Sequence, residues 1–206
     1  MASACKEVGA HFVTISTDYV FSGRKGSLYT EDDECDPVNV YGRSKRCGEV
    51  LALSTYERTL VCRVSALFGL SRCRAKGGKN FVDVMVMKLI GRNVVEVVND
   101  QTVSPTYASD CAHRILELIR LGTTGVVHVT NSGFCTWYEF ASEIQRQLAK
   151  RRDVGRVVPK TTRFEVGRAQ RPRFSAMTST RMPAMGLPLL RSWREALRSY
   201  LVLKEV

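Results

Sequence analysis

Residues 13–45 read VTISTDYVFSGRKGSLYTEDDECDPVNVYGRSK and join a strand pattern to a helix pattern. The stretch opens with an apolar, β-branched run typical of a buried strand, and hydroxyl and carboxyl groups follow at Thr17 and Asp18. It ends in Tyr41 and Lys45, which a helix would place on one face about one turn apart. An ammonium beside a phenol favours the ionised phenol. The pattern therefore predicts a proton donor near the end of a parallel strand.

The rest of the chain alternates between strand and helix patterns. Pro37 ends the loop before the first long helix, and Asn39 can cap that helix. Thr136, with Glu139 three residues later, has the capping-box pattern of another helix start. Periodicity predicts strands at 12–15, 59–63, 94–98 and 126–129, helices at 2–8, from 40 onward, and at 80–90, 107–121, 136–150 and 189–201, and loops from 151 to 188. This order predicts an α/β fold with a parallel sheet.

Several motifs follow one another along the chain in a fixed order. They read ISTDYVF at 15–21, PVNVYGRSK at 37–45, NFV at 80–82, VVNDQ at 97–101, SPTY at 104–107, WYEFA at 137–141 and QRP at 170–172. Together they resemble the extended short-chain dehydrogenase/reductase superfamily and, within it, the dTDP-4-dehydrorhamnose reductase family. A single Tyr-x-x-x-Lys pair is common by chance, whereas this resemblance covers nearly the whole chain.

The resemblance implies a reaction and three catalytic residues. An enzyme of this family uses NADPH or NADH to reduce the C4 keto group of dTDP-4-dehydro-L-rhamnose, which gives dTDP-L-rhamnose. Tyr41 would give the proton that the developing alkoxide needs. Lys45 would support Tyr41 and, with it, hold the nicotinamide ribose of the cofactor. Thr17 would donate a hydrogen bond to the same substrate oxygen.

The resemblance also implies a set of substrate contacts. The residues expected to contact the sugar nucleotide are Asp18, Tyr19, Asn80, Gln101, Thr106 and Arg173. Each of them could equally serve as a cap or turn residue. Many family members have an aromatic residue, often Trp, where this chain has Ala66, and Thr where it has Val64. These departures leave the particular hexose open.

One part of the superfamily pattern is missing from this sequence. Superfamily members bind the cofactor pyrophosphate at a Gly-rich turn between a strand and a helix, and no GxxGxxG motif occurs in these residues. We therefore expect residues 1–70 to form the C-terminal half of a Rossmann-like cofactor domain, and 71–206 a smaller substrate-binding lobe interleaved with its partial NAD(P)-binding sheet. Such a chain would bind the cofactor weakly, act poorly alone, and pair with a second copy or a cofactor-binding half.

Positive charge is concentrated in the last third of the chain. The formal net charge is +11; residues 1–140 hold 16 basic and 15 acidic side chains, whereas 141–206 hold 15 basic and 5 acidic ones. A basic lobe attracts anionic ligands, so a polyanion-binding module is one alternative function. Nucleic acid is not predicted, because aromatic-basic interleaving and zinc spacing are missing from the sequence. Another alternative is a non-catalytic regulatory subunit, because the methionine adenosyltransferase regulatory subunit has similar DYVF, YGxxK and QRPR segments.

The cysteines, the histidines and the hydropathy of the chain bear on disulfide bonds, metal binding and membrane contact. The seven cysteines form no CxxC pair, so we expect free thiols, with Cys62 and Cys111 in the core. The three histidines are scattered, and no metal site is predicted. No run of about 18 apolar residues occurs, so we expect a cytoplasmic protein without membrane contact.

Overall fold

The computed structural model describes residues 1–70, 78–163, 167 and 169–206. Its helices are α1 (Ala2–Glu7), α2 (Val40–Thr55), α3 (Phe81–Ile90), α4 (Ala108–Arg120), α5 (Trp137–Leu148), α6 (Arg181–Ala184) and α7 (Trp193–Leu203). Its strands are β1 (Phe12–Thr17), β2 (Thr59–Val64), β3 (Leu67–Phe68), β4 (Val94–Val98), β5 (Thr102–Val103), β6 (Thr106–Tyr107), β7 (Gly125–His128), β8 (Asn131–Ser132), β9 (Cys135–Thr136), β10 (Arg156–Lys160) and β11 (Leu190–Ser192).

A parallel sheet of three strands, in the order β1–β2–β7, carries the candidate site. Its register pairs Thr17 with Val64, and Arg63 with His128. The carboxyl ends of all three strands therefore lie at the same edge of the sheet. Ligands of open α/β sheets bind outside this edge.

Helices α2 and α4 cover opposite faces of this sheet. Alternate residues of a strand point to opposite faces. Thr59 of β2 donates its hydroxyl to the Ala52 carbonyl of α2 at 3.2 Å. Cys62 points the other way, into a buried cluster with Cys111 and Leu118 of α4. The prediction that Cys62 and Cys111 are core residues is confirmed.

A second buried cluster forms around the strand pair β4 and β10. Strands β4 and β10 pair in parallel, and helices α3, α5 and α7 contribute to the same buried cluster. Phe140 of α5 lies within 5.5 Å, between ring centroids, of both Phe81 and Trp193. The predicted capping box at Thr136 and Glu139 is present at the start of α5. The cap and the aromatic contacts together fix α5 over the strand pair.

Two predictions about the C-terminal third are wrong. The segment predicted as loops contains β10 and α6. β10 was missed because only Val157 and Val158 are apolar in it, and its pairing with the distant β4 decides its structure. The last helix begins at Trp193, not at 189, because Ser192 caps it in a capping box with Glu195.

The boundary between the two units predicted from sequence is not a simple cut of the chain. β7, at residues 125–128, lies within the predicted 71–206 lobe and pairs with β2 of the sheet. The chain thus returns to the sheet after entering the lobe. Across the described residues, no helix is long and apolar enough to cross a membrane.

Candidate active site

Thr17 lies at the end of β1 and is nearly buried, with 6 % of its surface exposed. Its hydroxyl donates to Asp18 Oδ1 at 3.1 Å and accepts the backbone N–H of Tyr19 at 3.2 Å. The second bond caps the 3-10 turn that follows the strand. Thr17 is therefore held between its two neighbours in the chain.

Asp18 is the centre of a buried hydrogen-bond network. Its Oδ2 accepts the hydroxyl of Ser65 at 2.9 Å and that of Ser175 at 2.5 Å. Burial raises the pKa of Asp18 to about 6, and the hydrogen bonds from Ser175, Ser65 and Thr17 offset only part of that effect. The carboxyl group connects the end of β1, the turn after β2 and the C-terminal segment.

Tyr41 lies in the first turn of α2 with 54 % of its surface exposed. Asn39 starts this helix, because its Oδ1 accepts the Gly42 N–H at 2.8 Å. Gly42 allows close packing on the preceding turn, since a Cβ atom at this position would lie 2.1 Å from the Tyr19 carbonyl oxygen. The Tyr41 ring meets the Tyr19 ring edge-on, with centroids 6.0 Å apart. The phenol of Tyr41 is thereby presented next to the end of β1.

The Tyr19 ring packs beside the Tyr41 ring. Burial and the negative charge of Asp18 raise the pKa of Tyr19, and Arg171 counteracts part of this effect. The Tyr19 phenol therefore stays protonated near neutral pH. It can donate a hydrogen bond to a ligand, as the prediction of a substrate contact requires.

Lys45 connects α2 to the edge strand β1. Its Nζ donates to the Ile15 carbonyl oxygen at 2.5 Å. An ammonium has three N–H bonds, so two remain for other acceptors. They lie along a groove of about 370 Å³ that Ile15, Ser16 and Ser44 also line. Lys45 can therefore offer hydrogen bonds to a ligand in this groove, whereas Tyr41 does not line it. The contacts of Lys45 and Tyr41 with a nicotinamide ribose stay predictions.

A buried ion pair anchors α2 to the sheet. Arg63 of β2 donates Nε to Glu49 Oε1 at 2.9 Å and Nη2 to Glu49 Oε2 at 2.7 Å. Arg46 adds a contact of 3.1 Å from the surface. Burial acts to raise the pKa of Glu49, but the hydrogen bonds and charge of Arg63 outweigh it and hold that pKa below its usual value. Glu49 is one helical turn beyond Lys45, so the pair fixes the helix that carries the Tyr-x-x-x-Lys motif.

The segment 169–177 closes the other side of the site. Asn39 donates its side-chain amide to the Gln170 carbonyl at 2.8 Å. Gly23 packs against Pro172 and the backbone of Arg173, and the Arg173 carbonyl accepts the Thr102 N–H at 2.7 Å. The Arg173 side chain is exposed. An exposed guanidinium on a backbone held by these contacts can reach an anionic ligand.

The other residues predicted to contact substrate are engaged within the fold. The Asn80 amide group accepts from Asp83 N and donates to Gly69 O and to the Tyr200 hydroxyl. Gln101 donates to the Thr162 hydroxyl at 2.8 Å. Thr106 is fully buried, and its hydroxyl donates to the Ser104 carbonyl. Asn80 caps α3 and Thr106 bonds within a local turn, whereas Gln101 bonds a residue 61 positions away. The roles of all three toward a substrate stay predictions.

Ser65 and Ser175 are the site residues that the motifs did not indicate. Ser65 follows β2 as Asp18 follows β1, and the pairing of Thr17 with Val64 brings these two positions side by side. That register could have pointed to Ser65. Ser175 lies 157 positions from Asp18, and no spacing rule connects them. Within the described part of the chain, no group of three His, Cys, Asp or Glu residues is arranged to hold a metal ion.

The parallel sheet with its covering helices defines an α/β protein with the Rossmann-like fold of dehydrogenases and reductases. The family model described as "RmlD substrate binding domain" matches residues 1–205. The chain belongs to this family, and the superfamily predicted from its motifs is confirmed.

Two curated relatives match almost the whole chain. The spore coat polysaccharide biosynthesis protein SpsK of Bacillus subtilis is 39 % identical over 194 residues, which cover 94 % of this chain and 65 % of that protein. A dTDP-4-dehydrorhamnose reductase of Streptomyces griseus is 39 % identical over 203 residues, covering 96 % of this chain and 64 % of that protein. The chain therefore spans slightly less than two thirds of the length of either relative.

A solved structure agrees with this fold. The dTDP-4-dehydrorhamnose reductase of Bacillus anthracis, determined in complex with NADP, superimposes with a TM-score of 0.88 at 35 % identity. The match covers 98 % of this chain and 68 % of that chain. The arrangement of strands and helices described above is thus the arrangement of that protein over the shared length.

Proposed function

We propose that this chain holds the sugar nucleotide and supplies the proton donor of an NAD(P)H-dependent reductase. The substrate of this reductase is a dTDP-4-keto-6-deoxy sugar, in the first place dTDP-4-dehydro-L-rhamnose. Reduction of dTDP-4-dehydro-L-rhamnose gives dTDP-L-rhamnose. The observation that carries the proposal is the exposed Tyr41 phenol beside the end of β1, on the same helix as Lys45. The names of the Streptomyces griseus and Bacillus anthracis relatives support the substrate class.

In this reaction the reduced nicotinamide, when bound, supplies the hydride for the C4 carbon. Tyr41 transfers its hydroxyl proton to the C4 oxygen, so the carbonyl becomes an alcohol without a free alkoxide. Lys45 stabilises the resulting phenolate by its positive charge, and its remaining N–H bonds would hold the ribose hydroxyls of the cofactor. Thr17 contacts the C4 oxygen from the strand end.

Substrate recognition falls to the residues around Tyr41. Arg173 offers its exposed guanidinium to the diphosphate, because a charged donor to phosphate gives strong, oriented hydrogen bonds. Tyr19 faces the sugar beside Asp18. Asn80, Gln101 and Thr106 support this cleft through their internal hydrogen bonds. Ala66, half-buried where many family members have an aromatic side chain, leaves room for a hexose other than rhamnose.

The test combines turnover with ligand binding. NADPH oxidation is followed by absorbance, with dTDP-4-dehydro-L-rhamnose as substrate, in a version of the protein that also carries a Gly-rich cofactor-binding half. Tyr41→Phe should lower turnover at least about a hundredfold, the usual scale for a positioned acid. Binding of dTDP-L-rhamnose, measured by calorimetry, should stay within about threefold of wild type, because the phenol contributes about one neutral hydrogen bond or less.

Tyr138→Phe is the matched control for this experiment. Tyr138 lies on α5 and packs against the second buried cluster, and its hydroxyl makes no hydrogen bond within the described residues. The control should keep wild-type turnover. A Tyr41→Phe variant with turnover like the control, or a wild-type chain that does not bind dTDP-L-rhamnose, would contradict the proposal.

A further inference from the structure

The turn after α3 and the turn after α5 lie side by side on the surface. Their sequences are MKLIGRNV at 87–94 and AKRRDVGR at 149–156. The Arg156 N–H donates to the Asn93 carbonyl at 3.1 Å. Gly155 permits this close approach, because a Cβ atom at this position would lie 2.1 Å from the Asn93 carbonyl oxygen. The two segments therefore form one surface, which we call the paired turns.

Positive charge dominates the paired turns. Six basic side chains and one acidic side chain belong to them, and all seven are exposed: Lys88, Arg92, Lys150, Arg151, Arg152, Arg156 and Asp153. Asp153 lies 3.4 Å from Arg92, and a single acid cannot neutralise five further cations. Lys88 lies in the last turn of α3, where it complements the helix dipole. Arg152 and Arg156 lie beyond the end of α5, so that role does not account for them.

Three apolar side chains are exposed on the same surface. Met87, Ile90 and Val94 are 51 %, 38 % and 69 % exposed. Met87 and Ile90 are three residues apart on α3, so they lie on one face of that helix. Aromatic side chains, on which the bases of nucleic acids stack, are absent from both segments. Cations next to exposed apolar side chains match a bilayer, which offers anionic headgroups at its surface and an apolar interior beneath them.

We propose that the paired turns are a docking surface for an anionic lipid bilayer. The basic side chains contact the headgroups, and Ile90 and Val94 enter the boundary between headgroups and acyl chains. Docking of this kind is peripheral and needs no helix that crosses the bilayer. The expectation of a protein without membrane contact rested on the lack of long apolar runs, which bears on spanning helices only.

The paired turns lie at one end of β4, and the candidate site lies beyond the other end. β4 and β10 begin at Val94 and Arg156, within the paired turns. β4 has five residues, so its far end lies roughly 13 Å from Val94. The chain continues from there to Thr102, whose carbonyl accepts the Ser175 N–H, and Ser175 in turn bonds Asp18. A bilayer would thus contact the end of β4 that is remote from the candidate site.

Co-sedimentation with lipid vesicles tests the docking surface. Wild type should bind vesicles of equal parts phosphatidylglycerol and phosphatidylcholine, should not bind phosphatidylcholine alone, and should bind more weakly as salt is added. Arg151→Gln combined with Arg152→Gln should weaken binding about twenty-fivefold, since each basic residue near an anionic surface contributes about fivefold.

Lys6→Gln combined with Arg120→Gln is the matched control. The two residues are exposed in the last turns of α1 and α4, outside the paired turns, and their loss changes the net charge by the same amount. The control should bind within about threefold of wild type, because charges beyond a Debye length from the bilayer are largely screened. Attraction by net charge alone would weaken both double variants equally, and that result would overturn the proposal.

Ile90→Ser combined with Val94→Ser tests the apolar contact. This variant keeps every charge and should bind the anionic vesicles at least about tenfold more weakly, because fewer apolar groups enter the bilayer. Binding like that of wild type would overturn the proposal, as would failure of wild type to bind anionic vesicles. Tighter binding to duplex DNA than to the vesicles would also overturn it, in favour of nucleic acid. None of these measurements involves the candidate site, so their failure leaves the proposed function untouched.

Discussion

The carboxyl group of Asp18 is buried and nevertheless charged at neutral pH. Its pKa is raised from 3.8 to about 6, chiefly by burial. The folded state therefore holds the proton more tightly than the unfolded state, and the stability linked to this proton is present below about pH 4 and lost as pH rises through about 6. A shift of this size corresponds to about 3 kcal/mol in the free energy of unfolding.

Replacing Asp18 with Asn should remove this pH dependence. Between pH 4 and pH 7, the unfolding free energy of Asp18→Asn should increase relative to that of wild type by up to about 3 kcal/mol. Urea denaturation at several pH values measures it. Hydrogen bonds that are lost or rearranged in the variant change its unfolding free energy by the same amount at every pH. They therefore do not affect how the difference from wild type depends on pH. A difference independent of pH would show that Asp18 does not titrate in this range.

His128 makes the stability of the protein depend on pH in the opposite direction. In the wild type it therefore masks the pH dependence caused by Asp18. Its Nδ1 lies 2.9 Å from the Thr178 carbonyl, which can only accept, so Nδ1 carries the proton and Nε2 faces Arg63. Burial lowers the pKa of His128 to about 4. Stability linked to its neutral form is present above about pH 6.5 and lost as pH falls toward 4. The two groups offset each other between about pH 4 and 6, so the comparison of variants is needed.

At the scale of the element, α2 determines where the candidate proton donor lies. A Cβ at Gly42 would meet the Tyr19 carbonyl oxygen at 2.1 Å and Pro37 Cβ at 2.9 Å, whereas nothing lies within 4 Å of a Cβ at Gly48. Gly48→Ala should stabilise the protein by up to about 1 kcal/mol through helix propensity. Gly42→Ala should destabilise it by about 1–3 kcal/mol, because rigid backbone must move.

Denaturation of the two glycine variants provides the comparison, and each serves as the control for the other. Both lie on α2 and gain the same methyl group, so they differ only in what that group contacts. Gly42→Ala should also reduce binding of dTDP-L-rhamnose, because the first turn that carries Tyr41 is displaced. Equal effects of the two substitutions on stability would mean that α2 does not press against the Tyr19 turn.

The buried pair of Glu49 and Arg63 gives a second prediction for the same helix. The two side chains are 1 % and 2 % exposed. Glu49→Gln should cost about 3–5 kcal/mol of unfolding free energy, because it leaves the Arg63 charge buried without its counter-ion. Arg46→Gln, which removes the half-exposed partner of the same carboxylate, should cost about 1 kcal/mol or less. Thermal or urea unfolding of both variants checks the ranking, and a Glu49→Gln loss no larger than that of Arg46→Gln would contradict it.

Local signals predicted most of the elements and part of the site. Thr17, Asp18, Tyr41 and Lys45 lie within 29 consecutive positions, and strand and helix periodicity placed them at a sheet edge and on the adjoining helix. Contacts between distant segments could not be predicted in this way. The hydrogen bond of Ser175 to Asp18 and the pairing of β10 with β4 depend on the folded chain as a whole. Side chains whose partners are close in the sequence can be predicted from local patterns. Contacts between segments that are far apart in the sequence cannot.

At the scale of the whole molecule, the candidate site is assembled from segments that are far apart in the sequence. Asn39 and Gln170, joined by a hydrogen bond, are 131 positions apart, and Asp18 collects donors from both the sheet and the C-terminal segment. The basic residues that give 141–206 its excess positive charge include Arg171 and Arg173 beside this site. We expect their charge to attract the diphosphate of the proposed substrate to the cleft from a distance, and salt to weaken this effect.

Cofactor binding by the 206 residues is the last prediction. Lys45 and Tyr41 are predicted to hold the nicotinamide ribose, whereas these residues contain no GxxGxxG turn for the pyrophosphate. We therefore expect these residues to bind NADPH and reduced nicotinamide mononucleotide with similar, weak affinity, because the adenosine half of NADPH gains no contacts. NMR titration of the backbone signals around Lys45 measures both ligands, and Lys45→Ala should weaken both equally. NADPH binding more than about tenfold tighter than the mononucleotide, a difference of about 1.4 kcal/mol, would mean that the chain contacts the adenosine half through residues outside this groove.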